Sequence, residues 1–236
     1  MRMHTRIMMS AALALLLVVS TSSASSEEKV VIEVDGWKLV GILNVPESGS
    51  AVPAVILCHQ FNSNKAVYDN LAKLLAEKGI ASLRLDGRGH GESTNKGRVT
   101  RDLLRTSWPD VVAAHKYLKG LKGIKADRIG TVSASYSGES VARAGREYEY
   151  AQAYVVLSSG TMSKESIADL KNSAGVWWFV AAKDDPRSAA NMQAADTAAK
   201  YSSFTNFEKG GHGTNLFRSQ PDLEAKIADW FAEKLK

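Results

Sequence analysis

The sequence predicts an α/β fold: a mostly parallel, doubly wound sheet with helices on both faces and an N-terminal antiparallel hairpin. From residue 54 onward, short apolar runs alternate with amphipathic stretches, which is typical of βα units. Before them, β-runs at residues 29–34 and 37–45 flank Asp35-Gly36, a strong hairpin signal. The chain has 236 residues, enough for one domain with a substantial core.

The hydrophobic pattern predicts the remaining elements. The run AVILC at residues 54–58 is apolar throughout, as expected of a strand buried on both faces. Further strands are predicted at residues 80–85, 129–132, 153–157, 176–182 and 203–208. Helices are predicted at residues 65–78, 108–118, 139–146 and 188–200, and in a C-terminal segment with Leu223, Ile227, Trp230 and Phe231 on one face. Trp177 and Trp178 are adjacent on a strand, so they point to opposite faces and both are predicted to be core residues.

The first 24 residues have the pattern of a secretory signal peptide. Two arginines precede the apolar residues 7–19, and small residues occupy the −3 and −1 positions of a cleavage site after Ala24. The apolar stretch is too short to span a bilayer. We therefore expect residues 25–236 to form the mature chain, exported to a periplasm or the medium, without stable membrane insertion. An uncleaved anchor is the alternative.

The composition, with 44% hydrophobic and 23% charged residues, is that of an ordinary globular protein. The net charge of +5 is scattered, without a basic stripe interleaved with aromatic residues, so no nucleic-acid partner is expected. Cys58 is the one cysteine, which excludes an internal disulfide, and it is predicted to be a small buried hydrophobe. No clustered His, Cys and Asp pattern predicts a metal or a cofactor. The oligomeric state is left open.

The stretch RIGTVSASYSG at residues 128–138 is the most informative. It is predicted to be a strand, in which Gly130 permits close packing, followed by a sharp turn and a helix. Ser135 lies in the turn with small residues, Ser133 and Ser137, two positions to either side. This is the setting of a nucleophile elbow, whose common form is G-x-S-x-G. Since serines replace both glycines, a serine-rich loop without chemistry is the alternative from this stretch alone.

The predicted strands end in polar, glycine-rich segments. Because the carboxyl ends of parallel strands meet at one edge of a sheet, these segments are expected to converge there. In chain order they are HQFNSN, DGRGHGES, SASYSG, LSSGTM, KDDPRS and GGHGTN. Their convergence favours the nucleophile elbow over the plain loop.

Candidate partners for the serine follow it in the chain. A serine hydroxyl needs a base, the base needs an orienting acid, and in this architecture the order is serine, acid, histidine. His212, in GGHG, is the one histidine after Ser135. Asp184 and Asp185 both follow the strand at 176–182. Asp185 is favoured because the next residue is a proline that fixes its turn, and Asp184 remains the alternative.

Together these motifs resemble those of the α/β-hydrolase superfamily, in particular its small lidless members of the dienelactone-hydrolase-like and serine-esterase type. The resemblance covers residues 29–236. It implies a hydrolase fold, no cofactor, and an oxyanion hole made by the backbone N–H groups of Tyr136 and Phe61. The chain departs from the family at the two elbow serines and at Gln60, where the family usually has glycine. The longer Gln60 side chain is expected to narrow or polarise the mouth of its loop.

The resemblance also bears on the other histidines and on the site's openness. His59 and His90 lie in family motifs where histidine usually holds loops, so both are expected to be structural. His115, on a helix, is expected to be unrelated to the chemistry. Only residues 158–175 separate two predicted strands where larger hydrolases insert a cap. They leave room for one short helix near residues 165–170, which predicts an open site without a large cap.

The resulting prediction is a secreted serine hydrolase that cleaves small-molecule carboxylic esters. Ser135, His212 and Asp185 would act through an acyl-enzyme intermediate. A thioesterase or a serine peptidase on the same triad is the alternative within enzymes. A catalytically inactive hydrolase-fold binding protein is the alternative from another class, and the elbow serines are its support.

Overall fold

One eight-stranded sheet organises the chain, with strand order β1-β2-β4-β3-β5-β6-β7-β8. The computed structural model describes residues 25–98, 100, 104, 106–148 and 151–236, so the predicted signal peptide lies outside the described residues. The strands are β1 Ser25–Val34, β2 Trp37–Pro46, β3 Val52–Cys58, β4 Ala81–Leu85, β5 Ile124–Ala134, β6 Ala153–Leu157, β7 Val176–Ala182 and β8 Ser202–Phe207.

The N-terminal hairpin is confirmed. Asp35 and Gly36 have φ of 50° and 74°, and both are the central residues of the turn that joins β1 to β2. Two positive φ values in a two-residue loop match the right-handed twist of the flanking strands. The β2 strand then pairs antiparallel with β4, and the neighbours from β4 to β8 are parallel. The predicted fold class is therefore confirmed.

Helices cover both faces of the sheet. They are α1 Asp69–Glu77, α2 Trp108–Lys119, α3 Ser137–Tyr148, α4 Lys164–Asp169, α5 Pro186–Ala198, α6 Asn215–Ser219 and α7 Leu223–Lys234. Helices α2 to α5 pack on one core layer, and α1, α6 and α7 pack on the other. Within the described ranges, no helix combines the length and the apolar character needed to cross a bilayer.

Several boundaries differ from the sequence predictions by a few residues, and three of these differences are informative. Strand β5 begins at Ile124, five residues before the predicted start at residue 129. The hydrophobic pattern does not reveal this first part of the strand, because most of it is polar and exposed. The segment predicted as one helix at 65–78 opens with a 3-10 turn, Lys65–Tyr68, in which the Asn64 side chain accepts from the Ala66 N–H. Helix α3 begins two residues earlier than predicted, directly after the turn at Ser135.

Core packing agrees with the predictions for individual residues. A Cβ on Gly130 would lie 2.5 Å from Cε1 of Phe231, so this strand position requires glycine. Trp177 stacks on Tyr154 with ring centroids 3.9 Å apart, while Trp178 packs with Trp230 on the opposite face. Cys58 is buried, and burial raises the pKa of its thiol to about 12, so it behaves as a small apolar side chain.

Two buried histidines hold the loops behind the strand ends, as expected. The Nδ1–H of His59 donates to the Gln60 carbonyl at 2.7 Å, and its Nε2 accepts from the Gly87 N–H at 3.0 Å. Burial lowers the pKa of His59 to about 4, although the Gln60 carbonyl acts in the opposite sense. His90 donates to the Arg88 carbonyl at 3.1 Å, and burial lowers its pKa too. The ring of His59 is thus neutral and bridges two loops.

The glycine-dense loop after β4 folds around the buried carboxylate of Asp86. Asp86 is fully buried and accepts from the backbone N–H of Lys65 at 2.7 Å and of Glu92 at 2.9 Å. The Lys65 ammonium pairs with the same carboxylate at 2.7 Å. A Cβ on Gly91, whose φ is 48°, would overlap the Asp86 carboxylate. The charge of Asp86 therefore shapes the loop, a role that the sequence analysis did not assign.

The low pKa of His59 predicts a loss of stability in acid. The unfolded chain takes up a proton near pH 6.5 and the folded chain only near pH 4, so stability falls as the pH drops between these values. His59→Gln keeps a donor and an acceptor but does not titrate. Between pH 7 and pH 4.5 the wild type should lose about 2 kcal/mol more unfolding free energy than this variant, measured by urea denaturation. Equal losses would contradict a neutral His59.

Candidate active site

The carboxyl ends of the central strands border an open cavity of about 500 Å³. All five site residues predicted from the sequence lie in its wall. The lining comprises Gln60, Phe61, Leu104, Ser135, Tyr136, Glu139, Gly160, Thr161, Asp185, Arg187, Ser188 and His212. His115 is not among these residues.

Ser135 occupies the sharp turn between β5 and α3. Its φ is 55°, a left-handed conformation that is uncommon for a residue with a side chain. Its backbone N–H donates to the Leu157 carbonyl at the end of the neighbouring strand, at 2.9 Å. This strained turn lifts the hydroxyl above the end of the strand and towards the cavity, which is the geometry expected of a nucleophile elbow.

The two serines that replace the elbow glycines are buried and have backbone partners. The Ser137 Oγ accepts from the Ala134 N–H at 2.9 Å and lies 3.0 Å from the Cys58 carbonyl, to which it can donate. Ser133 is fully buried, with its Oγ 3.5 Å from the Val155 carbonyl. The elbow therefore tolerates serine at these positions, and Ser137 ties the turn to the end of β3.

His212 connects Ser135 to a carboxylate. Its Nε2 lies 2.6 Å from the Ser135 Oγ, and its Nδ1 lies 2.6 Å from Oδ2 of Asp185. Because an ionised carboxylate only accepts, the Nδ1–H donates to Asp185 and Nε2 is left to accept from the serine hydroxyl. The Ser188 Oγ lies 3.4 Å from Nδ1, at the edge of hydrogen-bond range. This arrangement can transfer a proton from serine to imidazole.

Asp184, the alternative acid, has a different contact. Its Oδ1 accepts from the backbone N–H groups of Gly210 and Gly211, each at 3.0 Å. The N–H of Gly211, and then that of Gly210, holds the pKa of the Asp184 carboxyl below its usual value. The structure thus brings Asp185 to His212 and uses Asp184 to anchor the loop that carries His212. Sequence analysis missed this anchoring role.

Phe61 and Tyr136, the candidate oxyanion donors, lie on the same cavity wall. Tyr136 is the residue between Ser135 and the first turn of α3, and Phe61 lies in the turn after β3. Their rings contact edge to face with centroids 6.4 Å apart. Burial raises the pKa of the Tyr136 phenol well above its usual value, so its side chain stays neutral. The oxyanion role of the two backbone N–H groups remains a prediction.

Gln60 makes a contact that the sequence analysis did not predict. It lines the cavity, yet its side-chain oxygen accepts from the backbone N–H of Thr214 at 2.7 Å. The side chain thus extends from the loop after β3 to the loop of His212.

Among the described residues, no group of three His, Cys, Asp or Glu side chains could hold a metal ion.

Comparison with known families places this site in context. The model of the Hydrolase_4 family, described as serine aminopeptidase S33, matches residues 49–204. The match contains Ser135 and Asp185 and ends before His212. A curated relative, the 2,6-dihydropseudooxynicotine hydrolase of Paenarthrobacter nicotinovorans, is 29% identical over 105 residues, which cover 44% of this chain and 28% of that protein. This chain thus spans less than a third of that relative's length.

Solved structures share the fold at low sequence identity. Est1E from Butyrivibrio proteoclasticus, bound to ferulic acid, superposes with a TM-score of 0.75 and 19% identity, covering 87% of this chain and 98% of that one. A dienelactone hydrolase from Anabaena variabilis gives a TM-score of 0.69 and 18% identity, covering 89% and 96%. The family match extends over more than half of the chain and these structures share its architecture, so the chain belongs to the serine aminopeptidase S33 family of the α/β-hydrolase superfamily and is by family a hydrolase.

Proposed function

We propose that this protein is an exported serine hydrolase that cleaves carboxylic esters of small molecules. The observation that carries the proposal is the continuous hydrogen-bonded series Asp185–His212–Ser135 in an open cavity, with 2.6 Å at each contact. The strained backbone at Ser135 supports it, because such strain persists where the surrounding structure enforces it, often at catalytic positions.

The proposed reaction has two half-reactions. As the Ser135 Oγ attacks the ester carbonyl carbon, its proton passes to Nε2 of His212, and the carbonyl electrons move onto the oxygen. The tetrahedral intermediate collapses by breaking the bond to the alkoxy group, which leaves as an alcohol with the proton from His212. Water, deprotonated by the same imidazole, then attacks the acyl-enzyme and releases the acid and the free serine.

Two backbone N–H groups and two aspartates support the reaction in different ways. The N–H groups of Tyr136 and Phe61 are the proposed donors to the oxyanion, and each such donor typically stabilises the transition state by about 3 kcal/mol. Asp185 keeps His212 in the productive tautomer and stabilises the imidazolium. Asp184 keeps the loop in place through Gly210 and Gly211.

The charges in the cavity favour an ester over the N-terminus of a peptide. An aminopeptidase needs a carboxylate for the substrate's α-ammonium group. Glu139 in the cavity wall already accepts from the N–H and hydroxyl of Ser163 and the hydroxyl of Ser166. Asp185 is bonded to His212, and the wall also contains the cation Arg187. A cavity with a cation and engaged carboxylates suits a neutral or anionic ester.

Two further parts of the proposal are an open site and export of the protein. Between β6 and β7, residues 158–175 contain only α4 and a 3-10 turn, Leu170–Asn172, which supports a site without a large cap. The pattern of residues 1–24 supports export and cleavage after Ala24.

Reaction with a fluorophosphonate tests the proposal directly. The full chain is expressed with export, and the protein recovered from the periplasm or medium is treated with the reagent and weighed by intact mass spectrometry. We expect one adduct on the wild type and none on Ser135→Ala, because only an activated serine reacts. The same masses should correspond to a chain that begins at Ser25. Folded wild type without an adduct would leave the inactive binding protein as the better hypothesis.

The two neighbouring aspartates should differ in their effect on hydrolysis. Asp185→Asn removes the charge that orients His212, and kcat on a short-chain ester should fall by roughly 10³-fold or more. Asp184→Asn retains an oxygen that can accept from Gly210 and Gly211, so kcat should fall by about 10-fold or less. The two variants form a matched pair, one residue apart with the same chemical change. A larger loss in Asp184→Asn would reverse the assignment.

The guanidinium group of Arg187 in the cavity wall leads us to predict a preference for esters that carry a carboxylate. Its Nε donates to the Gly160 carbonyl at 3.1 Å, and no carboxylate of the described residues pairs with its terminal nitrogens. Kinetics on a monoalkyl and a dialkyl ester of the same dicarboxylic acid measure the preference. Arg187→Gln should raise KM for the charged monoester by about 10-fold and leave the neutral diester within about 2-fold. Equal effects on both esters would contradict the preference. Arg128→Gln serves as the control, because Arg128 is half-buried in β5 and does not line the cavity.

A further inference from the structure

One side-chain amide joins the two loops that carry the proposed oxyanion donor and the proposed base. Gln60 precedes Phe61 in the turn after β3, and its Oε1 lies 2.7 Å from the backbone nitrogen of Thr214, two residues after His212. A backbone N–H can only donate, so the oxygen and not the nitrogen of the amide faces Thr214. The hydrogen bond therefore has a defined direction and connects residues 154 positions apart.

The fit between the amide and the histidine loop is also steric. Gly213 has a φ of 61°, and a Cβ at this position would overlap the Gln60 Oε1. The absence of a side chain at Gly213 therefore leaves the space that the Gln60 amide fills. A longer residue at position 60 and a glycine at position 213 are complementary parts of one contact.

Both ends of this contact are held by further bonds. The Gln60 carbonyl accepts from the Nδ1–H of His59 at 2.7 Å, which fixes the backbone of the donor loop. On the other side of His212, the Asp184 carboxylate accepts from Gly210 and Gly211. His212 thus lies between two anchors, each a side-chain oxygen that accepts backbone N–H groups of its loop.

We infer that Gln60 is a positioning residue for the proposed ester hydrolysis: it fixes the His212 imidazole relative to the Phe61 N–H. This inference rests on the proposed function. The base and the oxyanion donor must act on the same carbonyl group at the same moment, so their separation has to match the transition state. A misplacement of about 1 Å in such a site can lower the rate on the order of 10²-fold.

A gate at the cavity mouth is the competing role for the same side chain. If Gln60 only restricted entry, its removal would change KM, chiefly for bulky esters, and would leave kcat on a small ester intact. If Gln60 positions the two loops, its removal lowers kcat on every ester, because the transition state loses a stabilisation that ground-state binding does not use.

Two substitutions separate the hydrogen bond from the bulk. Gln60→Met keeps a side chain of similar length and removes the amide oxygen, whereas Gln60→Gly removes both. Gln152→Met is the matched control, because the Gln152 Oε1 also accepts a backbone N–H, that of Ile129 at 2.9 Å, but at the opposite end of the sheet. For each protein we would measure kcat and KM on one small and one bulky ester, the rate of fluorophosphonate labelling, and Tm.

The expected result is a loss of kcat and of labelling rate by about 10-fold or more in both Gln60 variants, with KM within about 3-fold. Gln152→Met should keep kcat within about 2-fold of the wild-type value, even if its Tm falls as much as that of the Gln60 variants. The reason is that the hydrogen bond lost in Gln152→Met is remote from the cavity. Unchanged kcat in Gln60→Met, or a gain confined to bulky esters in Gln60→Gly, would overturn the inference while the proposed function stands. Wild type that neither hydrolyses esters nor labels would overturn both.

Amide hydrogen exchange on the wild type keeps the inference testable if the Gln60 variants do not fold. The Thr214 N–H should exchange at least about 10²-fold more slowly than in an unstructured peptide, because the Gln60 oxygen protects it. Exchange at the unstructured rate would show that the two loops are not joined in solution and would overturn the positioning role.

Discussion

The site depends on one backbone constraint, the left-handed turn at Ser135 between β5 and α3. For a residue with a side chain this conformation costs about 1–3 kcal/mol, which the surrounding bonds must offset. The N–H of Ser135 donates to Leu157, and the hydroxyl of Ser137 bonds to the ends of β3 and β5. Ser158 repeats the pattern at the end of β6, with a φ of 46° and its N–H on the Val180 carbonyl at 2.8 Å. Two adjacent strands thus end in left-handed residues, and the segments that follow them contribute Tyr136 and Thr161 to the cavity wall.

The loops around this turn are held by hydrogen bonds from side chains to backbone N–H groups. His59 bonds to the loop of Gly87, Asp86 closes its own loop and binds Lys65, and Asp184 binds the loop of His212. In each case a side chain, buried at His59 and Asp86 and exposed at Asp184, accepts from backbone N–H groups that have no partner within a strand or helix. The irregular segments between strands can then have conformations as fixed as those of the strands. The proposed acyl transfer requires this, because its reacting groups lie on these segments.

Much of the architecture was predictable because its causes are local or periodic. Apolar runs marked the buried strands, Asp35-Gly36 marked the hairpin, and the small residues around Ser135 marked the turn. The start of β5 was not predicted because residues 125–127 are exposed, and in this part of the strand only Ile124 pairs with β3, before the register shifts. The contacts of Asp184 and Gln60 were not predicted from the sequence for a different reason. They are hydrogen bonds to backbone groups far along the chain, and a backbone N–H leaves no mark in the sequence.

The choice between Asp184 and Asp185 illustrates the same limit. Both residues follow the same strand, and both are acidic. The proline after Asp185 suggested a fixed turn, but which carboxylate faces His212 depends on how the loop of residues 210–213 folds back over the sheet. That loop binds Asp184 through Gly210 and Gly211, which leaves the imidazole to Asp185. The placement of one aspartate therefore determines the partner of the other.

The complementary shapes of Gln60 and Gly213 couple the effects of substitutions at two positions on different loops. Any side chain at position 213 would collide with the amide of Gln60, and loss of the amide would leave the Thr214 N–H without its acceptor. Gly213 also has a φ of 61°, so a side chain at this position would be strained even if residue 60 were a glycine. A substitution at position 213 would thus displace the Gln60 amide as well as strain the backbone, so the effects of substitutions at the two positions should not add.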